Sequence, residues 1–261
     1  MKTGDILELL CGLAPLETRA EGDNCGLLVG DAGGEVTRVL VVLDILPETV
    51  LEAEEIGAQL IVSHHPVIYR PLRELTPDSP AGRTVLMLAR RGISAICMHT
   101  NLDRAEGGVG PALCEALGLL PLTGSGNCGT IDGGDGFVRI GTLEHPMTVR
   151  GFAEHAKSAL CANSVRYADA GREVSVVAAG GGSCAKYAAA ALAAGADTLL
   201  VGDAGYHDMR DALTLGINLV DAGHFPTENP VCDKLVRLIS GAFEGLEVRK
   251  SGVLRDAWFA V

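Results

Sequence analysis

The chain predicts an α/β protein in two lobes, on three observations. Short apolar runs alternate with amphipathic helical patterns along its whole length, the pattern of parallel strands joined by crossover helices. Its 261 residues, 48% of them hydrophobic, are enough to bury one large core or two modest ones. The stretch Thr123-Gly124-Ser125-Gly126-Asn127-Cys128-Gly129-Thr130-Ile131-Asp132-Gly133-Gly134-Asp135-Gly136 carries neither hydrophobic period and splits the chain into parts of similar size. The expected lobes are therefore 1–123 and 137–261, joined by a loop over 124–136, with the segment 217–261 packing back on the first lobe.

The elements follow in order. A helix is expected near 3–11 and a strand near 37–44, where Val39-Leu40-Val41-Val42-Leu43 ends on Asp44. A helix near 47–57 precedes the strand 58–63, and a helix near 81–92 precedes the strand 94–98. Helices near 108–118 and 148–161 flank a strand near 137–143. Strands near 174–179, 197–202 and 217–221 then alternate with helices near 184–195 and 206–215. The last helix, 230–242, opens with Asn229 as its N-cap and Pro230 at its first position, where the missing N–H costs nothing.

Composition narrows the function. A formal net charge of −12 argues against a phosphate backbone as the main partner, because nucleic-acid binding rests on clustered Lys and Arg. It leaves a single nucleotide open. The eight cysteines never form a Cys-x-x-Cys pair and read as reduced structural thiols rather than a disulfide framework. Asp5 and Glu8 interrupt what would have to be the apolar part of a signal peptide, and no apolar run reaches the roughly 20 residues of a membrane span. The expected setting is the cytoplasm, with neither membrane nor nucleic acid as partner.

The chemistry concentrates at three strand ends. The run Leu60-Ile61-Val62-Ser63 stops on His64-His65-Pro66, and a second, Ala95-Ile96-Cys97-Met98, stops on His99-Thr100-Asn101-Leu102-Asp103. A third, Ile217-Asn218-Leu219-Val220-Asp221, leads into Ala222-Gly223-His224-Phe225-Pro226-Thr227-Glu228. The histidine pair alone is equally a strand-end core pair. Together with Asp103, His224 and Glu228 it makes a ligand set suited to Zn, Fe, Mn or Co. Five ligands including two carboxylates exceed the needs of one tetrahedral zinc, so two divalent ions bridged by Asp103 and Glu228 are the economical reading. Such a pair holds a hydroxide ready for attack on carbon or phosphorus. The lobe cleft is the expected place for it. Pro226 and Pro230 argue against a continuous helix, which puts His224 and Glu228 on the turn before the last helix rather than one helical turn apart.

His99 and His207 remain as candidate catalytic residues, able to shuttle protons beside the metals or only to hydrogen-bond there. Asp44 reads as structural before supporting a ligand or facing the substrate, and Gly180-Gly181-Gly182-Ser183 as a tight turn rather than a phosphate cradle. Arg70 and Arg73, with Arg104 beside Asp103, are candidates to meet an anionic substrate.

Read together, these stretches resemble the Nif-three-like dinuclear metal-centre family, many members of which are named GTP cyclohydrolase 1 type 2 homologues. The likeness runs through Gly22-Asp23-Asn24-Cys25-Gly26-Leu27, Ser63-His64-His65-Pro66 with Arg70-Pro71-Leu72, His99 to Asp103 with Ala105-Glu106-Gly107-Gly108-Val109, Gly202-Asp203 with Tyr206-His207-Asp208, and Gly216 to His224 with Thr227-Glu228. It implies that His64, His65, Asp103, His224 and Glu228 are the metal ligands. It further implies that the two lobes are related and that the chain forms a toroidal homohexamer, in the short form without an inserted domain. Gly22, Val201 and Gly205 depart from the tryptophan, threonine and lysine common there. The implied activity is hydrolysis of a small anionic or nucleotide-like molecule, GTP ring opening being the named instance. A metal-binding, metal-delivery or scaffold oligomer without turnover is the alternative.

Overall fold

A computed structural model describes residues 1–122 and 126–260. The start of the expected joining loop, residues 124 and 125, lies outside the described residues, as do 123 and 261. In chain order the elements are α1 (Thr3–Leu13), β1 (Gly26–Val29), β2 (Arg38–Val42), α2 (Pro47–Glu55), β3 (Leu60–Ser63), α3 (Pro80–Arg91), β4 (Ser94–Cys97), α4 (Thr100–Arg104) and α5 (Val109–Ala116). There follow β5 (Gly129–Thr130), β6 (Val138–Met147), α6 (Val149–Ala159), β7 (Arg166–Ala168), β8 (Val174–Gly180), α7 (Ala188–Ala193), β9 (Thr198–Val201), α8 (Tyr206–Leu215), β10 (Asn218–Asp221), α9 (His224–Glu228), α10 (Pro230–Ala242) and β11 (Glu247–Lys250).

These form two compact units, each an α/β layer structure. The first comprises Met1–Ala105 and Cys232–Arg255, and the second runs from Glu106 to Val231 and resumes at Asp256. The division falls just after Ala105, so the described part of the glycine-rich stretch belongs to the second unit, where β5 pairs with β6. The chain returns to the first unit because β11 adds to β2 in parallel, Val248 facing Val39 and Arg249 facing Leu40.

In the first unit the sheet order is β1-β4-β3-β2-β11, with β1 antiparallel on one edge and the rest parallel. Every residue of β3 and β4 is buried, as expected for strands covered on both faces. The helices between them are punctuated as the sequence dictates. Ser79 caps α3 by accepting from the Gly82 amide at 3.2 Å, and Gly92 closes it at φ 64°, a left-handed conformation glycine takes without a Cβ penalty.

In the second unit the order is β5-β6-β8-β9-β10-β7. Strands β8, β9 and β10 are parallel and the three outer pairings antiparallel. The two-residue period of a strand builds the two cores. Val177, Ala179, Leu200 and Val220 pack with Phe152 and Leu113 on one face, while Ala178, Leu199, Val201 and Leu219 pack with Ala188, Ala191 and Ala212 on the other. Among the described residues no helix is long and apolar enough to cross a membrane.

Candidate metal centre

In both units the parallel strands deliver chemistry at their carboxyl ends, where open α/β sheets place their sites. Asp44 follows β2, His64 and His65 follow β3, and His99 follows β4. In the second unit Gly181 and Gly182 follow β8, Asp203 follows β9 and His224 follows β10.

The first unit gathers three imidazoles. Backbone ladders run past the ends of the strands, with the His64 amide donating to Val42 O at 3.3 Å and His65 to Leu43 O at 2.9 Å, and these fix the ring positions. The centroids of His64 and His65 are 4.9 Å apart, and His99 lies 5.3 and 5.7 Å from them. One ring nitrogen of each falls within 4.8 Å of the others, a set that could hold a metal ion. Asp103, brought round by the single turn of α4, places Oδ1 3.6 Å from Nε2 of the wholly buried His64.

Each of these rings is tied at Nδ1 by an oxygen. His64 Nδ1 lies 2.9 Å from the Met98 carbonyl, His65 Nδ1 2.7 Å from Asp44 Oδ1 and His99 Nδ1 2.8 Å from Asp23 Oδ1. A carbonyl or carboxylate can only accept, so Nδ1 carries the proton and the Nε2 lone pair is presented outward, the tautomer a metal ligand requires. Asp23 is held in turn. Burial pushes its carboxyl up, but hydrogen bonds from His99 and Thr100 outweigh that and hold it well below the usual carboxylate range. Its neighbour Cys25, half-buried and donating to Asp23 Oδ2 at 3.2 Å, is pushed up to about 11 by that burial and stays a thiol.

The second unit pairs His224 with Glu228 on α9. Nε2 of His224 is 3.0 Å from Glu228 Oε2, and Nδ1 is 2.5 Å from Asp203 Oδ2, which also accepts from the Ser183 hydroxyl at 2.9 Å. Asp203 sits at φ 57°, a conformation unusual for a residue with a side chain. The hydrogen bond to Glu228 raises the pKa of His224 to about 9 against the opposing effect of burial, with Asp203 adding to it. In the metal-free chain both ring nitrogens of His224 therefore donate, and a metal at Nε2 would replace that proton.

The glycine turn after β8 proves to be shaped around this pair. A Cβ on Gly181 would lie 2.9 Å from Glu228 Cγ, and one on Gly182, at φ 59°, would enter a Glu228 carboxylate oxygen and come within 3.0 Å of His224 Cε1. The Gly182 amide donates to Thr227 Oγ1 at 3.1 Å, which locks the turn to α9. The first unit thus offers imidazole nitrogens of fixed tautomer beside Asp103, and the second an imidazole and a buried carboxylate held on a backbone cradle, donor types that suit a divalent cation.

One sequence expectation is corrected. His224 and Glu228 do sit one helical turn apart, on the short helix α9, and not on an irregular turn. Pro226 is accommodated because it occupies the first turn, whose amides have no intrahelical acceptor anyway. Asn229 is helical and passes α9 directly into α10.

Other candidates are more dispersed. Arg70 and Arg73 lie in an exposed segment without regular structure, and Arg104 donates to Thr18 O at 2.5 Å. The arginine lining the cavity of about 320 Å³ beside His65 and Asp44 is Arg83, with Leu46 and Val67. His207 is exposed on the first turn of α8, edge-on to Tyr206 at 5.3 Å. The residues whose role sequence reasoning missed are the carboxylates behind two of the rings, Asp23 and Asp203; for Asp44 support of a ligand was one of the readings left open. All stand at strand ends or next to a quoted motif, but nothing in sequence pairs a given carboxylate with a given ring.

Comparison with known proteins agrees with the likeness seen in the sequence. Residues 1–256 match the family described as Duf34/NIF3 (NGG1p interacting factor 3). A "GTP cyclohydrolase 1 type 2 homolog" of Clostridium perfringens is 35% identical over 242 residues, covering 90% of each chain, and one of Streptomyces coelicolor is 34% identical, covering 99% of this chain and 94% of that one. Among solved structures, Staphylococcus aureus protein SA1388 superposes with a TM-score of 0.90 at 28% identity over 100% of this chain and 99% of that one. A Bacillus cereus protein related to NIF3 gives 0.86 at 25% identity, with the same coverage.

Proposed function

Because the chain belongs to the Duf34/NIF3 family, we propose that it is a dinuclear metal protein acting as a metal-dependent hydrolase on a small anionic, nucleotide-like molecule. The observation that carries this reading is the oxygen at Nδ1 of His64, His65, His99 and His224, which sets the first three rings in the ligand tautomer and orients the fourth. The proposed ligands are His64, His65 and Asp103 in the first unit and His224 and Glu228 in the second. Two divalent ions supply Lewis acidity and an activated water when bound.

The chain's own groups have definable parts in this reading. His99, oriented by Asp23, keeps Nε2 available to take or give a proton next to His64 and His65. Asp44 and Asp203 hold His65 and His224 in their rotamers. Ring opening at a C–N bond, as the relatives' name suggests, and assembly as a cytoplasmic homohexamer complete the proposal.

The competing reading is metal handling without turnover. It draws on one observation, the nearness of His99 to His64 and His65, which would let His99 serve as a third imidazole ligand instead of a proton carrier. The test is turnover of GTP, other nucleotides and cyclic amides by metal-loaded protein, beside His99→Gln with metal content determined for both. Turnover lost in His99→Gln at full metal content supports the hydrolase. Metal lost from His99→Gln, with no turnover of any compound by the wild type, supports metal handling.

A further inference from the structure

The second unit holds a cavity of about 500 Å³ lined by Ser164, Arg166, Asp203, Asp221, Gly223 and Trp258, and none of the functions proposed so far uses it. Its volume is that of a small-molecule site. Trp258 is the only tryptophan of the chain and 43% exposed. It is held over the end of β10 from two directions. Its carbonyl accepts from Asn163 Nδ2 at 2.7 Å, and Cζ2 of the indole lies 3.6 Å from where a Cβ on Gly223 would be. That is ordinary van der Waals distance, so the indole lies beside the backbone immediately before His224.

The same cavity is lined by an anchored guanidinium. Arg166 uses Nη2 to donate to Asp221 and, at 2.8 Å, to Ala204 O, while its side chain is 64% exposed. Asp221, only 4% exposed, is not a private counter-ion. It also accepts from the amides of Ala204 at 3.2 Å and Gly223 at 3.0 Å, which spreads its charge over three donors. Among the hydrogen bonds of the described residues none uses Arg166 Nε or Nη1, so the guanidinium keeps donors for a planar anion. The third wall is Asp203, whose Oδ2 is taken by His224 and Ser183.

We propose that this cavity binds a planar aromatic ring bearing an anionic group, a molecule of mononucleotide size, with the ring on the Trp258 indole and the anion on Arg166. Indole faces stack with aromatic rings whatever their substituents, and a guanidinium anchored by a buried carboxylate loses little freedom on meeting phosphate. The assignment rests on the hydrolase reading in one respect: the cavity shares Asp203 with His224, which makes it the holder of a substrate's non-reacting part. Binding itself is read without turnover, so the two readings fail separately.

The single tryptophan is its own reporter. Full-length protein is titrated with guanosine 5′-monophosphate while indole fluorescence is followed, beside guanosine and ribose 5-phosphate. Saturable quenching by the nucleotide is expected, with guanosine binding about tenfold more weakly and ribose 5-phosphate causing no quenching. Arg166→Gln is expected to weaken the nucleotide about tenfold and leave guanosine unchanged. Equilibrium dialysis with Trp258→Ala is expected to show weakened nucleotide binding. No saturable quenching by the nucleotide, or unchanged nucleotide affinity in both variants, would overturn the proposal.

Discussion

The two sets of metal-ligand candidates are built in opposite ways. In the first unit three rings sit on the ends of adjacent buried strands, and His64 is fully buried. In the second the donors ride on a one-turn helix, His224 is 37% exposed, and their positions depend on a glycine turn that leaves no room for a side chain. The first set is thus rigid through its backbone ladder, whereas the second is rigid only while Gly181 and Gly182 stay bare. The common feature is the oxygen behind each ring, which argues that tautomer control is what the fold preserves across two different constructions.

Breaking the second set at its cradle is expected to have the largest effect. Gly182→Ala adds a Cβ at φ 59° against Glu228 and His224, so it should cost about 1–3 kcal/mol of stability and abolish metal binding by that pair. Urea unfolding and metal titration of the variant check this. An unchanged midpoint would mean that α9 yields easily.

Removing the oxygens tests the shared feature. Asp44→Ala and Asp203→Ala are each expected to lower metal affinity by about 10–100-fold without removing a ligand. Chelator competition measures this for both. If only Asp203→Ala had an effect, the backbone ladder alone would be enough to orient the first set.

Asp23 gives the comparison a pH axis. Its carboxyl is held below the ordinary value by His99 and Thr100, so its contribution to stability is fully present above about pH 4 and disappears as pH falls through the folded-state value. Asp23→Asn should therefore lower Tm at neutral pH, and the gap from wild type should narrow in acid. A gap independent of pH would point to packing instead of charge.

The smallest effects are expected at the exposed arginines. Arg70→Ala and Arg73→Ala should change stability by no more than about 0.5 kcal/mol, as chemical denaturation can show. Their substrate affinity, compared with that of Arg83→Ala, decides which of these cations meets the anion. Loss in Arg83→Ala alone would assign that role to the cavity beside His65.

What the sequence made legible follows the same division. Buried strands such as Leu60–Ser63 and Thr198–Val201 announce themselves as apolar runs, and the helices between them by periodicity and by caps such as Ser79 and Gly92. Edge strands do not: Glu247–Lys250 is polar, Arg166–Ala168 is short, and Gly26–Val29 is only partly buried. The five-residue helices α4 and α9 are too short to show a period, which is why His224 and Glu228 were expected on a turn. The cradle looked like an ordinary tight turn because the need for bare backbone arises only from contacts with residues more than 40 positions away. The carboxylate partners were hidden for the same reason, Asp23 and His99 being separated by 76 positions.

His64, His65, Asp103, His224 and Glu228 are the proposed metal ligands, and the oxygens behind the rings orient them. Elemental analysis of the purified chain after saturation with Zn, Fe, Mn or Co and removal of loosely bound ions, beside His65→Ala and Glu228→Ala, tests this central claim most directly. The account predicts about two tightly held ions per wild-type chain and a loss in each variant. A wild type that retains no ion, or variants that retain as much as the wild type, would contradict it.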